Sequence, residues 1–209
     1  MANPQWLDWA QRLQALAQTG LNYDPRPFDK QRYEQIRDLA AEIIAAHSDV
    51  PFEQVLGLMS AQTGHATPKI DSRGVVFREN KILLVQEKLD NDRWTLPGGW
   101  VDIGEPPSVA VEREVWEETG YRVRAVKLLA LYDRHKHGHP PSLFHAYKVF
   151  FRCELVNDDR DETPNIETGV PEFFALDELP ELSTARVTAT QIARFFEHLQ
   201  NPNWQTDFD

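Results

Sequence analysis

Apolar residues recur at two different periods along this chain, and the change between them falls near Pro68. Over 4–20, Trp6, Trp9/Ala10, Leu13 and Leu16/Ala17 repeat at helical spacing and Gly20 follows as a C-cap, which predicts an amphipathic helix. The prolines within 21–28 mark a loop. A second helix is expected from Asp29 as N-cap to about His47, its stripe being Tyr33, Ile36, Leu39/Ala40 and Ile43/Ile44, with Phe28 and Tyr33 as a hydrophobic staple. A short third helix at about 51–59 carries Phe52, Val55, Leu56 and Met59, and 60–68 reads as loop. Beyond Pro68 the period turns extended. Segments 74–77 and 81–86 read as strands joined by a hairpin turn at Arg78-Glu79-Asn80, and further strands are expected at 93–96, 122–133, 144–155 and 171–175. Helices are expected at about 107–119 and 187–199, the latter with Ile192, Phe195/Phe196 and Leu199 on one face. The pattern predicts a small all-α domain over 1–68 and a mixed α/β (α+β) domain over 69–209.

Composition narrows the function classes. The 209 residues hold 22 Lys+Arg against 33 Asp+Glu, a formal net charge of −11, with 41% hydrophobic and 11% aromatic residues. Such a chain is not disordered. The single cysteine, Cys153, excludes an intramolecular disulfide framework and fits a reducing, cytoplasmic setting. No stretch approaches ~18 apolar residues, so no membrane span is expected. The segment MANPQWLDWAQRL lacks the basic and apolar regions of a signal peptide. The helical domain carries five basic residues and eight acidic ones, 5 − 8 = −3. Counterion release does not favour such a surface on nucleic acid, which leaves a packing or dimerisation role.

The candidate chemistry lies in 98–120. Pro106 and Pro107 suit the opening of a helix and Gly120 its end. At about 100° per residue, Ser108, Val111, Val115 and Thr119 share a core-facing line, and Glu114, Glu117 and Glu118 fill an adjoining wedge above Ala110. Glutamates so spaced repel one another, so they form either a solvated acidic face or a site for a hard cation such as Mg²⁺. Gly98-Gly99 permits an unusual backbone path that turns a carbonyl toward the same cation, and Arg113 is placed to grip Glu105 or a ligand carboxylate in a bidentate pair.

The run Gly99, five residues, Glu105, seven residues, then Arg113-Glu114-Val115-Trp116-Glu117-Glu118-Thr119-Gly120 resembles an intact Nudix box, with Tyr121 standing where an aliphatic residue is usual. The stretches WLDWAQRLQALAQTGLNYDPRPFDKQRYEQIRDLAAE, DRHKHGHPPS, YKVFFRC and FFALDELPELSTAR resemble the Nudix subgroup that hydrolyses X-linked nucleoside diphosphates, among them CDP-choline and ADP-ribose pyrophosphatase-like enzymes. The resemblance implies a mixed sheet sandwiched between helices, α/β/α, behind a helical N-terminal domain. It implies Mg²⁺- or Mn²⁺-dependent hydrolysis of a nucleoside diphosphate linked to X, giving a nucleoside monophosphate and phospho-X, and a homodimer. Glu114, Glu117, Glu118 and the Gly99 carbonyl would be metal ligands, with Glu105 and Arg113 as the supporting ion pair. Two rival readings are a nucleotide-sugar sensor that binds without cleaving, which an intact box disfavours, and a sanitiser of oxidised nucleotides, which the N-terminal resemblance disfavours.

Other groups are read more openly. Arg134, His135, Lys136, His137 and His139 form either a flexible, donor-rich loop that meets the substrate or a plain surface loop. The segment 157–172 holds Asp158, Asp159, Asp161, Glu162, Glu167 and Glu172. It is either a solvated acidic loop or the source of a further catalytic carboxylate, for which Glu167 is the choice. Trp100 can stack on a nucleobase or sit in the core. Cys153 reads as inert packing.

Overall fold

The computed structural model describes residues 4–161 and 168–209. They divide into two compact units: one runs to Pro68 and takes in Pro141–His145, and the other comprises Lys69–Pro140 and Ala146–Asp209. The segment 141–145, which the pattern alone puts in the second domain, thus belongs to the helical unit.

The helical unit contains α1 (Gln5–Asn22), α2 (Pro27–Ala45) and α3 (Phe52–Ser60). Its core is Leu7, Ala10, Ala40, Ala41, Ile44, Val55 and Met59, with Trp6, Leu13, Ile43, Phe52 and Leu56 packed against it. Three local expectations change. Gly20 lies inside α1 and is not its cap; a Cβ there would stand 2.4 Å from the Tyr33 ring, so the glycine serves the close approach of α2. Helix α2 begins at Pro27, whose fixed φ suits the first helical position. Asp29 therefore falls in the first turn, taking Arg26 Nε at 3.2 Å and Arg32 Nη1 at 2.7 Å. Phe28 is 78% exposed and staples nothing.

The second unit is built on a mixed sheet of β1 (Lys69–Arg78), β2 (Lys81–Glu87), β3 (Arg93–Thr95), β4 (Gly98–Trp100), β5 (Tyr121–Asp133), β6 (Ala146–Arg160), β7 (Glu172–Phe174) and β8 (Asp207–Phe208). Strand order is β3-β2-β1-β6-β5-β8, with β4 also on β1 and β7 also on β2. β1–β6 and β5–β8 run parallel and the other pairs antiparallel. Helix α4 (Pro107–Thr119) covers one face, packing Val111 and Val115 with Val76, Leu83, Val123 and Cys153. Helix α5 (Ala189–Gln200) covers the other, packing Ile192, Phe195 and Phe196 with Val75, Ile82, Leu84, Leu129 and Phe150. This is the α/β/α sandwich with a mixed sheet. Between β1 and β2, Glu79 and Asn80 both take positive φ, 50° and 59°, as a two-residue hairpin turn requires.

β1 extends five residues upstream of the apolar run at 74–77, because Asp71, Ser72 and Arg73 are buried despite being polar. Gly74 brings α4 down onto the sheet: a Cβ there would lie 2.4 Å from Val115 Cγ2. β4 and β8 are too short to show a period, and the pattern does not predict them.

Candidate active site

Helix α4 carries the acidic wedge. Val111, Val115 and Thr119 are buried against the sheet, Gly120 ends the helix with φ 76°, and Glu114 and Glu118 emerge on the side facing β4, with Glu117 exposed beside them. Glu118 Oε2 accepts the Gly98 N–H at 2.8 Å. The Glu114 carboxylate lies so close to Gly99 that a Cβ there would stand 3.2 Å from its Oε2. Gly98 itself has φ 138°, and a Cβ on it would run into Ser72 O at 2.1 Å. Gly98 is therefore required by the close approach of β1, and Gly99 leaves the Glu114 carboxylate its room.

Arg113 ties the wedge together. It grips Glu105 with two bonds, Nε to Oε1 at 3.0 Å and Nη2 to Oε2 at 2.9 Å. Its Nη1 donates to Glu114 Oε1 at 2.9 Å and to Glu117 Oε2 at 2.8 Å, so those two carboxylates converge on one nitrogen. The bond to Arg113 holds the Glu105 carboxyl below its usual range. Burial pushes Glu118 up to about 8 against the opposing charge of Arg73, and burial likewise raises Glu114. Carboxylates that are converged, partly buried and costly to ionise want a positive counter-charge. Ser72 alternates along β1 with Gly74 and Val76, which places it on the α4 side; its buried Oγ has no hydrogen-bond partner among the described residues. An all-oxygen donor set with a spare polar atom beside it fits a hard divalent cation.

The remaining sequence candidates fall in different places. Trp100 is 56% exposed, so it is not a core residue. It stands in register with Asp71, and Asp71 in turn with Lys148. In the 134–140 loop most of the polar side chains are engaged by groups of the chain itself. Arg134 is buried and donates to the Pro140 carbonyl at 2.7 Å. Asp133 Oδ1 accepts the His135 N–H at 2.9 Å. His137 stacks on Tyr132 with ring centroids 3.7 Å apart, its Nε2 3.0 Å from Asp209 Oδ1. His139 is buried, donating from Nδ1 to the Thr184 carbonyl at 2.8 Å and accepting from Gln191 at 3.1 Å. Burial, then the charge of Lys148, pushes its pKa down to about 4. Lys136 faces solvent. Asp161 takes Trp116 Nε1 at 2.9 Å and Arg122 Nη2 at 2.8 Å, which directs it away from the wedge. Glu162 and Glu167 lie outside the described residues.

Two features escape the sequence reading. Asp71, Arg73 and Lys148 form a buried charged chain: Arg73 Nε donates to Asp71 Oδ1 at 2.7 Å, and Lys148 Nζ to Asp71 Oδ2. Burial raises the Asp71 carboxyl, but Arg73 and Lys148 outweigh it and hold the group ionised; burial drives Lys148 downward. Glu87 is buried near the wedge and paired with Arg186 Nε at 3.0 Å. The available signals were a lysine inside the apolar run Tyr147–Phe151 and an Asp-x-Arg spacing on one strand face.

Comparison with known proteins agrees with this geometry. Residues 4–59 match the UDP-X-like, N-terminal oligomerisation domain, and 68–196 match the NUDIX domain. A Bacillus subtilis (strain 168) protein provisionally named an ADP-ribose pyrophosphatase, YjhB, is 44% identical over 205 residues, 98% of this chain and 97% of that protein. The crystal structure of a UDP-X diphosphatase aligns over 100% of both chains with TM-score 0.62 and 32% identity. That of an ADP-ribose pyrophosphatase from Streptococcus suis 89-1591 aligns over 68% of this chain and all of its own, with TM-score 0.61 and 41% identity. Nudix hydrolases generally use divalent metals. With its box intact, Glu114 and Glu118 set against Gly98-Gly99 and both domains matched, the chain belongs to the Nudix hydrolase family as a pyrophosphatase with the N-terminal domain of the UDP-X-like branch.

Proposed function

We propose that the chain is a metal-dependent pyrophosphohydrolase of a nucleoside diphosphate linked to X, with ADP-ribose as the substrate to test first. The observation that carries this is the gathering of Glu114 and Glu118 against Gly98-Gly99, with Glu117 drawn to Glu114 through their shared Arg113 nitrogen. Mg²⁺ or Mn²⁺ suits that oxygen donor set, with the Gly99 carbonyl as a further ligand. When bound, such a cation neutralises phosphate oxygens and acidifies a water. The chain's own residues do the rest. Arg113 and Glu105 hold the wedge in shape, and one carboxylate, from the wedge or Glu167, takes the proton of the attacking water. Exposed Trp100 offers its face to the nucleobase, and Lys136 a cation to a phosphate; His135, His137 and Arg134 support that loop from within. ADP-ribose ranks first because of the Bacillus subtilis relative and the Streptococcus suis structure; CDP-choline follows on the sequence resemblance alone. The oligomerisation domain and the single cysteine support a homodimer in the cytoplasm. No described helix is long and apolar enough to cross a membrane.

The test is product analysis on ADP-ribose, UDP-sugars, CDP-choline, NADH and 8-oxo-dGTP, with Mg²⁺ and Mn²⁺ separately. AMP and ribose 5-phosphate are the expected products from ADP-ribose. Glu117→Gln and Glu118→Gln should each lower turnover by roughly 10²-fold or more while the fold persists. Near-normal turnover in both at saturating Mg²⁺ would discard the assignment.

A further inference from the structure

The buried charged chain touches none of the reacting groups of the proposed hydrolysis. Asp71 and Arg73 alternate along β1 with Val75, and Lys148 precedes Phe150 by two on β6; Val75 and Phe150 belong to the core on the α5 side. Lys148 is 0% exposed. Its Nζ donates to Asp71, Asp71 accepts from Arg73 Nε at 2.7 Å, and Arg73 Nη1 donates to the Leu96 carbonyl at 3.1 Å. Leu96 lies two residues before Gly98, whose N–H holds Glu118, and three before Gly99, against which Glu114 rests. The Arg73 charge also acts directly on both glutamates. A buried ionic chain is commonly no more stable than apolar side chains of the same volume. Stability alone does not account for three charged residues here.

We propose that Arg73, held by Asp71 and Lys148, is a positioning residue for the metal-binding wedge. It fixes the Leu96–Gly99 turn from beneath and so sets where Glu114 and Glu118 stand. The proposal rests on the reading that these carboxylates hold a divalent cation. An arginine is needed because two nitrogens of one rigid fork bond in different directions, one to Asp71 and one to Leu96. A lysine keeps the charge and loses one of the two bonds.

The experiment titrates Mn²⁺ into the full chain and follows the free ion by electron paramagnetic resonance, with ADP-ribose turnover at saturating Mg²⁺ measured alongside. Arg73→Lys is expected to keep its fold, to bind Mn²⁺ at least ~10-fold more weakly, and to lose a similar factor in kcat with KM little changed. The triple variant Asp71→Leu/Arg73→Met/Lys148→Met replaces the ionic chain by apolar groups of similar volume. It should fold, because the three groups that pair with one another leave together, and still bind Mn²⁺ weakly. A purely structural chain would restore binding in that variant. Wild-type Mn²⁺ affinity in Arg73→Lys, or in the folded triple variant, overturns the proposal. Where Arg73→Lys fails to fold, the triple variant carries the same test. A wild-type protein that binds no Mn²⁺ overturns the metal reading and this proposal with it, whereas binding by wild type and variants alike overturns this proposal alone.

Discussion

Glu118 joins burial, charge and metal affinity in one side chain. Burial raises its folded-state pKa from 4.5 to about 8. The sign follows from linkage: a folded state that holds the proton more tightly than the unfolded chain is favoured below about pH 4.5, and that advantage disappears as pH rises through about 8. His139, held down to about 4 by burial, opposes this below about pH 6.5, so metal-depleted protein should melt at progressively lower temperature from pH 6.5 to pH 8, and Mg²⁺ should raise the melting temperature most near pH 8. Differential scanning calorimetry in EDTA and in Mg²⁺ checks this, and Glu118→Gln should flatten the EDTA profile. An EDTA profile that does not fall over this window would refute the account. The wedge was legible in sequence because helix geometry turns i, i+3, i+4 spacing into a shared face without help from the rest of the fold. Arg73 was not, since Asp71 and Arg73 owe their burial to Lys148, 75 residues beyond Arg73, and to a parallel pairing that no local pattern announces. The histidine loop stayed open between two readings for a related reason. Its donors are numerous, but Thr184, Gln191 and Asp209 meet His139 and His137 from distant elements.

At the scale of elements, α4 delivers the wedge only because β1 lets it come close. Gly74→Ala places a Cβ 2.4 Å from Val115 Cγ2, so helix or strand must shift. The expected loss is about 1–3 kcal/mol of stability, read by urea unfolding, together with a fall in turnover and in Mn²⁺ affinity as the wedge moves off Gly98-Gly99. Thr188→Ala makes the contrast. Thr188 Oγ1 accepts the Gln191 N–H at 3.4 Å while Gln191 Oε1 accepts the Thr188 N–H at 3.0 Å, a capping box at the start of α5. Losing it should cost about 1 kcal/mol and leave Mn²⁺ affinity unchanged, since the cap touches none of the wedge residues. Equal effects of the two substitutions on Mn²⁺ binding would contradict this division. Helix α4 and the β1–β2 hairpin could be placed from sequence because period and turn chemistry agree there. The start of β1, along with β4 and β8, could not, because their polar or very short segments become strands only through pairing with β6, β1 and β5.

For the whole molecule, the surface of the helical unit is what remains to be accounted for. Trp9, Leu16, Tyr23, Phe28 and Leu39 are all exposed in a unit of three helices whose own core is already closed. Leu16 and Tyr23 line a groove of about 890 Å³ with Arg12, Arg26, Asp29 and Tyr33. Large apolar side chains gathered on so small a unit signal association, and this segment matches an oligomerisation domain. A second copy related by a two-fold axis would cover the same residues on both protomers. A stable interface needs roughly 800 Å² per protomer, so removing two apolar anchors at once should break it. Light scattering coupled to size exclusion should give a dimer for the wild type at micromolar concentration and a monomer for Leu16→Glu/Tyr23→Glu. Both positions are exposed in the isolated unit, so far-UV circular dichroism should be unchanged by the pair. A monomeric wild type would end the dimer proposal, and a dimeric double variant would move the interface elsewhere on the helical unit.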